Sequence, residues 1–111
     1  MKPRIYISGP ISGYDLEERR EAFKKVQKQL EQEGWTVFNP MENGLPPESD
    51  THQHMHRDLA VLTTEEIPFR AIYMMEKWLH SAGCKLEFDV ATAIGLPVIF
   101  EECYGPVINF K

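Results

Sequence analysis

Apolar residues along this chain recur with a period that switches between two and about three and a half. Arg4-Ile5-Tyr6-Ile7-Ser8 is a short β-rich run ended by Gly9-Pro10, which predicts a buried first strand. From Asp15 to Gly34 the pattern turns helical, with Leu16, Ala22, Phe23, Val26 and Leu30 on one side and charges opposite. Asp15 followed by Glu18 resembles a capping box, and Gly34 supplies a stop. Trp35 to Asn39 reads as a second strand broken by Pro40, and residues 40 to 51, rich in proline and polar groups, read as a loop. A second helix is expected over His52 to Thr64, and a third strand over Phe69 to Met75 behind the breaker Pro68. A third helix follows from Ser81 to Ile94, stopped by Gly95, before a fourth strand at Pro97 to Phe100 and a short tail.

Strands alternating with helices predict a parallel sheet with right-handed crossovers, covered on both faces. The expected fold is therefore α/β: one flavodoxin- or Rossmann-like doubly wound domain over residues 1–111, with four to five parallel strands. Ligands in such folds bind where strands end and helices begin, at the switch in strand order.

Composition narrows the function classes. A chain of 111 residues, 42% hydrophobic, has material for one core and is too short for a two-domain enzyme. Twelve Lys and Arg against seventeen Asp and Glu give a net charge of −5, which argues against a duplex nucleic-acid or anionic-membrane partner. The two cysteines, Cys84 and Cys103, fit neither a disulfide scaffold nor a zinc spacing. With no signal-peptide pattern and no run of membrane-spanning length, a cytoplasmic protein with reduced thiols is expected.

Candidate chemistry falls at the carboxyl ends of the strands. Ser8-Gly9-Pro10-Ile11-Ser12-Gly13-Tyr14 offers close backbone approach and hydroxyls, suited to a sugar or phosphate pocket, but also reads as an ordinary strand-to-helix turn. After the third strand, Ser81 is a natural N-cap, and Ala82 and Gly83 leave the first helical turn uncovered, as an anion site needs. Glu87 lies a turn beyond Gly83, with Ala91 a further turn along. It is either a carboxylate that a substrate can reach between two small residues or a solvated helix residue. Asp58 is the second carboxylate of interest, and equally a residue that caps a turn or pairs with Arg57. Two carboxylates at one rim, one nucleophilic and one handling protons, are what cleavage of a glycosidic bond requires. His52, His54 and His56 suggest a metal, but no Glu or Cys completes a ligand set, so they read as a polar entry to the helix. Trp78 reads either as a cleft residue or as core, and Cys84 lies near a helix N-terminus with no histidine but His80 to make it a nucleophile.

Four elements recur in order: Ile5-Tyr6-Ile7-Ser8-Gly9-Pro10-Ile11-Ser12-Gly13, then Gly34-x-x-Val37-Phe38-Asn39-Pro40, then Arg57-Asp58-Leu59, then Ser81-Ala82-Gly83-x-x-x-Glu87 followed by Ala91 and Gly95. In these the sequence resembles the nucleoside 2-deoxyribosyltransferase-like superfamily, and within it the small branch of 2'-deoxynucleoside 5'-monophosphate N-hydrolases. The resemblance implies that Glu87 attacks C1' of the sugar to give a glycosyl-enzyme, that Asp58 positions the substrate and stabilises or protonates the departing base, and that Tyr6 orients Glu87. It also implies that Ser8, Gly9, Pro10, Ile11, Ser12 and Gly13 line the sugar and phosphate pocket, with Gly83 beside it. At the position of Ser81, nucleoside-acting transferases carry an acidic residue and nucleotide-acting hydrolases a serine. A carboxylate there repels a 5'-phosphate, whereas a hydroxyl at a helix N-terminus binds it.

The implied activity is hydrolysis of the N-glycosidic bond of a nucleoside monophosphate, with no metal or organic cofactor. Its competitors are base exchange between nucleosides and nucleotide binding without turnover. A homodimer in which each chain helps close the other's pocket is implied as well.

Overall fold

The computed structural model describes residues 2–42 and 51–101. Four strands, β1 (Arg4–Ser8), β2 (Thr36–Phe38), β3 (Ala71–Met74) and β4 (Val98–Phe100), form one parallel sheet in the order β2-β1-β3-β4. Between them run helices α1 (Leu16–Gln32), α2 (Thr51–Leu62) and α3 (Ala82–Ala93), with 3-10 turns at Pro40–Glu42 and Trp78–His80. This is an α/β fold of the Rossmann-like kind, and the expected strand count is met at four among the described residues. The chain steps outward from β1 to β2, then crosses back to β3 and on to β4. The order therefore reverses between β1 and β3, and right-handed crossovers send α1 to one face and α2 and α3 to the other.

Alternation along the strands sorts the core into two halves. Ile5, Ile7, Ala71, Tyr73 and Met75 pack with Phe23, Val26 and Leu30 of α1. Tyr6, Ile72 and Met74 pack with Leu62 of α2 and with Cys84 and Ala91 of α3. Each large apolar side chain so buried contributes roughly 1.5–3 kcal/mol. Asp15 caps α1, its Oδ2 accepting from the Glu18 N–H at 2.9 Å. Gly34 and Gly95, at φ 101° and 86°, close α1 and α3, and the next N–H groups, of Trp35 and Leu96, bond back to Leu30 and Ala91.

Two local expectations change, and a third, left open between two readings, is decided. Leu16 is exposed, and Arg19 takes a buried place on α1 because its Nη1 donates to the Pro10 carbonyl at 3.2 Å while its guanidinium lies over the Tyr14 and Phe23 rings. The stretch after β2 begins as a 3-10 turn rather than a plain loop, nucleated by Asn39, whose Oδ1 accepts from the Met41 N–H. Trp78 belongs to the core, tilted against Phe88 and Phe100 at ring-centroid distances of 4.8 and 5.8 Å. The rest of the loop, residues 43–50, and the tail with Cys103 lie outside the described residues.

Candidate active site

Tyr6 and Ser8 are two apart on β1, so both side chains leave the sheet on the α2 and α3 face. Both meet Glu87. The Tyr6 hydroxyl donates to Oε2 and the Ser8 hydroxyl to Oε1, each at 2.5 Å. The Tyr6 ring is itself fixed, stacked on Phe38 at 5.2 Å and edge-on to Phe69 at 5.6 Å, so its hydroxyl has one direction to point. Glu87 is 6% exposed, and Asp58, on α2, is buried close enough for its charge to act on both Glu87 and Tyr6. A carboxylate is thus held between two hydroxyls beside a second carboxylate, where strand order reverses.

Burial pushes the Glu87 carboxyl up from 4.5 to about 7; the Ser8 and Tyr6 hydrogen bonds pull against this, and the Asp58 charge adds to it. Burial likewise holds the Tyr6 phenol well above its ordinary value, with the Glu87 and Asp58 charges adding, so Tyr6 remains a proton donor. The Cys84 thiol is raised by burial, with the neighbouring Ser8 and Ser81 hydroxyls pulling against this, the opposite of an activated cysteine nucleophile.

The other expected residues fall in three places. Ser81 caps α3, its Oγ accepting the Cys84 N–H at 3.2 Å, half-buried at the helix start. Gly83 does not leave that turn fully open. A Cβ there would lie 3.3 Å from the Met55 sulfur, so the missing side chain makes room for α2, and buried Ala91 likewise lets α3 approach the sheet. The small residues on either side of Glu87 thus let α2 and the sheet pack closely beside it.

Gly9 and Pro10 are buried, Ile11 half-buried, and Ser12 and Gly13 exposed. Gly9 packs toward the α1 side, where a Cβ would sit 2.6 Å from the Met75 sulfur and 3.0 Å from Phe23. Gly9→Ala should therefore cost about 1–3 kcal/mol of stability by overpacking, read from urea unfolding midpoints; an unchanged midpoint would show that Met75 yields freely.

Sequence reasoning missed the bond from Ser8 to Glu87 and the seat of Met55 on Gly83. Strand alternation carried a signal for the first, since it places Ser8 on the face of Tyr6. His52 and His56 are exposed, and among the described residues no group of three or more His, Cys, Asp or Glu side chains is placed to hold a metal. A groove of about 460 Å³, lined by Tyr14, Arg19, Gln29, Met75 and Lys77 among others, opens on the α1 side. It contains neither Glu87 nor Asp58 and is separate from the site.

Fold and site together define a small doubly wound α/β domain with a buried carboxylate and hydroxyl cluster at its topological switch point. By sequence the chain belongs to the family described as "Domain of unknown function (DUF4406)", whose model matches residues 3–100. A comparison with curated proteins gave no match. No helix among the described residues is long and apolar enough to cross a membrane.

Proposed function

We propose that this protein hydrolyses the N-glycosidic bond of a nucleoside 5'-monophosphate, of the deoxy series by its resemblance, through a glycosyl ester on Glu87. The observation that carries the reading is the buried Glu87 carboxylate with both oxygens held by hydroxyls and Asp58 beside it. A Glu87 oxygen attacks C1' as the bond to the base breaks, and the base leaves with the electron pair. Asp58 stabilises or protonates it. Water then attacks C1' and passes its proton to Asp58, or to the freed base where Asp58 only stabilised it; the ester bond breaks, and sugar 5-phosphate leaves with Glu87 again a carboxylate. Ser81 and the first turn of α3 receive the phosphate. A homodimer is part of the proposal, its test the mass in solution.

The reading is tested by incubating the protein with nucleoside monophosphates and nucleosides and separating free base by chromatography. Release from monophosphates is the expected result. Label exchange only when an acceptor base is supplied would replace hydrolysis with base exchange, and binding without release would leave a nucleotide-binding module.

The Asp58 charge also gives a signed pH prediction. It raises the Glu87 carboxyl, and the attacking form is the ionised one, so base release should rise with pH toward a limb near 7. Asp58→Asn removes that charge and should move the limb to lower pH, while lowering kcat roughly 100-fold or more through lost handling of the leaving base. A limb that stays or moves upward would show that the Asp58 charge does not act on Glu87.

A further inference from the structure

We propose that Ser8 is a positioning residue that grips Glu87 Oε1 in both forms of the carboxyl, taking a proton-donor role toward the carboxylate and an acceptor role toward the acid. This rests on the reading of Glu87 as the nucleophile. The Ser8 hydroxyl is fully buried and donates to Oε1 at 2.5 Å, so it is engaged by the protein itself rather than turned to a ligand.

Tyr6 and Ser8 are not equivalent partners. The Tyr6 ring is locked between Phe38 and Phe69, and Glu87 Oε2 accepts its hydroxyl hydrogen. Ser8 has a rotatable hydroxyl, able to give its hydrogen to a carboxylate oxygen or to accept one from the acid. When Glu87 is ionised, Ser8 gives its hydrogen to Oε1. When Oε1 carries the proton, that proton points to the Ser8 oxygen, and the Ser8 hydrogen turns away from it. The Ser8 oxygen thus stays against Oε1 in both forms, and only hydroxyl hydrogens rotate. The carboxyl therefore changes charge without moving, as a residue that alternates between ester and free carboxylate requires. The charged or titratable groups that face it are Tyr6 from β1, Asp58 from α2 and Cys84 from α3.

The test follows the Glu87 side-chain carboxyl by 13C NMR during a pH titration of protein labelled at glutamate, without substrate, its signal assigned by loss in Glu87→Gln. Ser8→Ala should raise the midpoint by about one pH unit, because the ionised form loses a donor, and Ser8→Thr should restore it. In turnover, Ser8→Ala should lose about tenfold or more in kcat with KM nearly unchanged. An unchanged carboxyl midpoint in Ser8→Ala, or a loss carried by KM alone, would overturn the positioning role. Should the protein release no base from any nucleotide, the hydrolase reading fails, while the titration still decides the role of Ser8.

Discussion

Exchange of Glu87 for glutamine is expected to abolish base release while making the folded chain more stable above neutral pH. The activity loss follows from the chemistry: an amide oxygen is too poor a nucleophile for C1', and removal of the attacking group costs about ten-thousandfold or more in such enzymes. The stability gain follows from burial. The folded protein holds the Glu87 proton up to about pH 7, whereas an ordinary glutamate releases it near 4.5. Between those values the folded state binds more protons than the unfolded one, so stability falls as pH rises, and the deficit persists at higher pH. The gap corresponds to about 3 kcal/mol.

Glutamine carries no charge at any of these pH values, and its amide can pair with both the Tyr6 and Ser8 hydroxyls. Variant and parent should therefore unfold alike near pH 4 and separate progressively to pH 8, by roughly 10 °C in midpoint for a domain of this size. Thermal unfolding of the two proteins at a series of pH values gives the difference directly. A variant equally destabilised at pH 4 and pH 8 would mean that the carboxylate is not a burden to the fold. Base release surviving in the variant would remove Glu87 as nucleophile.

What sequence made legible here is what short-range chemistry controls. Strand β1, the Asp15 cap, the Gly34 and Gly95 stops and the Ser81 cap each depend on residues within a few positions, and each falls where the pattern puts it. Arg19 was not legible, because its burial depends on a carbonyl in the preceding loop and on two rings. Gly83 and Ala91 could be recognised as small but not assigned a purpose, since their purpose is the approach of α2 and the sheet. Glu87 stood out beside the Ser81 turn, yet its two hydroxyl partners lie about eighty positions away and meet it only through the β1 and β3 pairing that seats α3. Their shared strand face was visible; the carboxylate both would meet was not.

The second large effect concerns the choice of substrate. Ser81→Asp should reduce base release from monophosphates about 100-fold or more relative to release from the matching nucleosides. Aspartate is as good an N-cap as serine, so it can accept the Cys84 N–H that Ser81 now accepts, and its charge suits the positive end of α3. The fold is thus expected to hold, and unfolding midpoints within about 1 kcal/mol of the parent would confirm this. What changes is the charge met by an arriving phosphate: at about 4 Å each added charge pair repels by roughly 4 kcal/mol near a protein surface, and the hydroxyl donor is lost as well. A nucleoside brings only a 5'-hydroxyl, which a carboxylate accepts. Comparing kcat/KM for one base with and without its 5'-phosphate, in parent and variant, isolates the effect from any general damage. An equal fall for both substrates would remove the phosphate from the N-terminus of α3, even with Glu87 still the nucleophile.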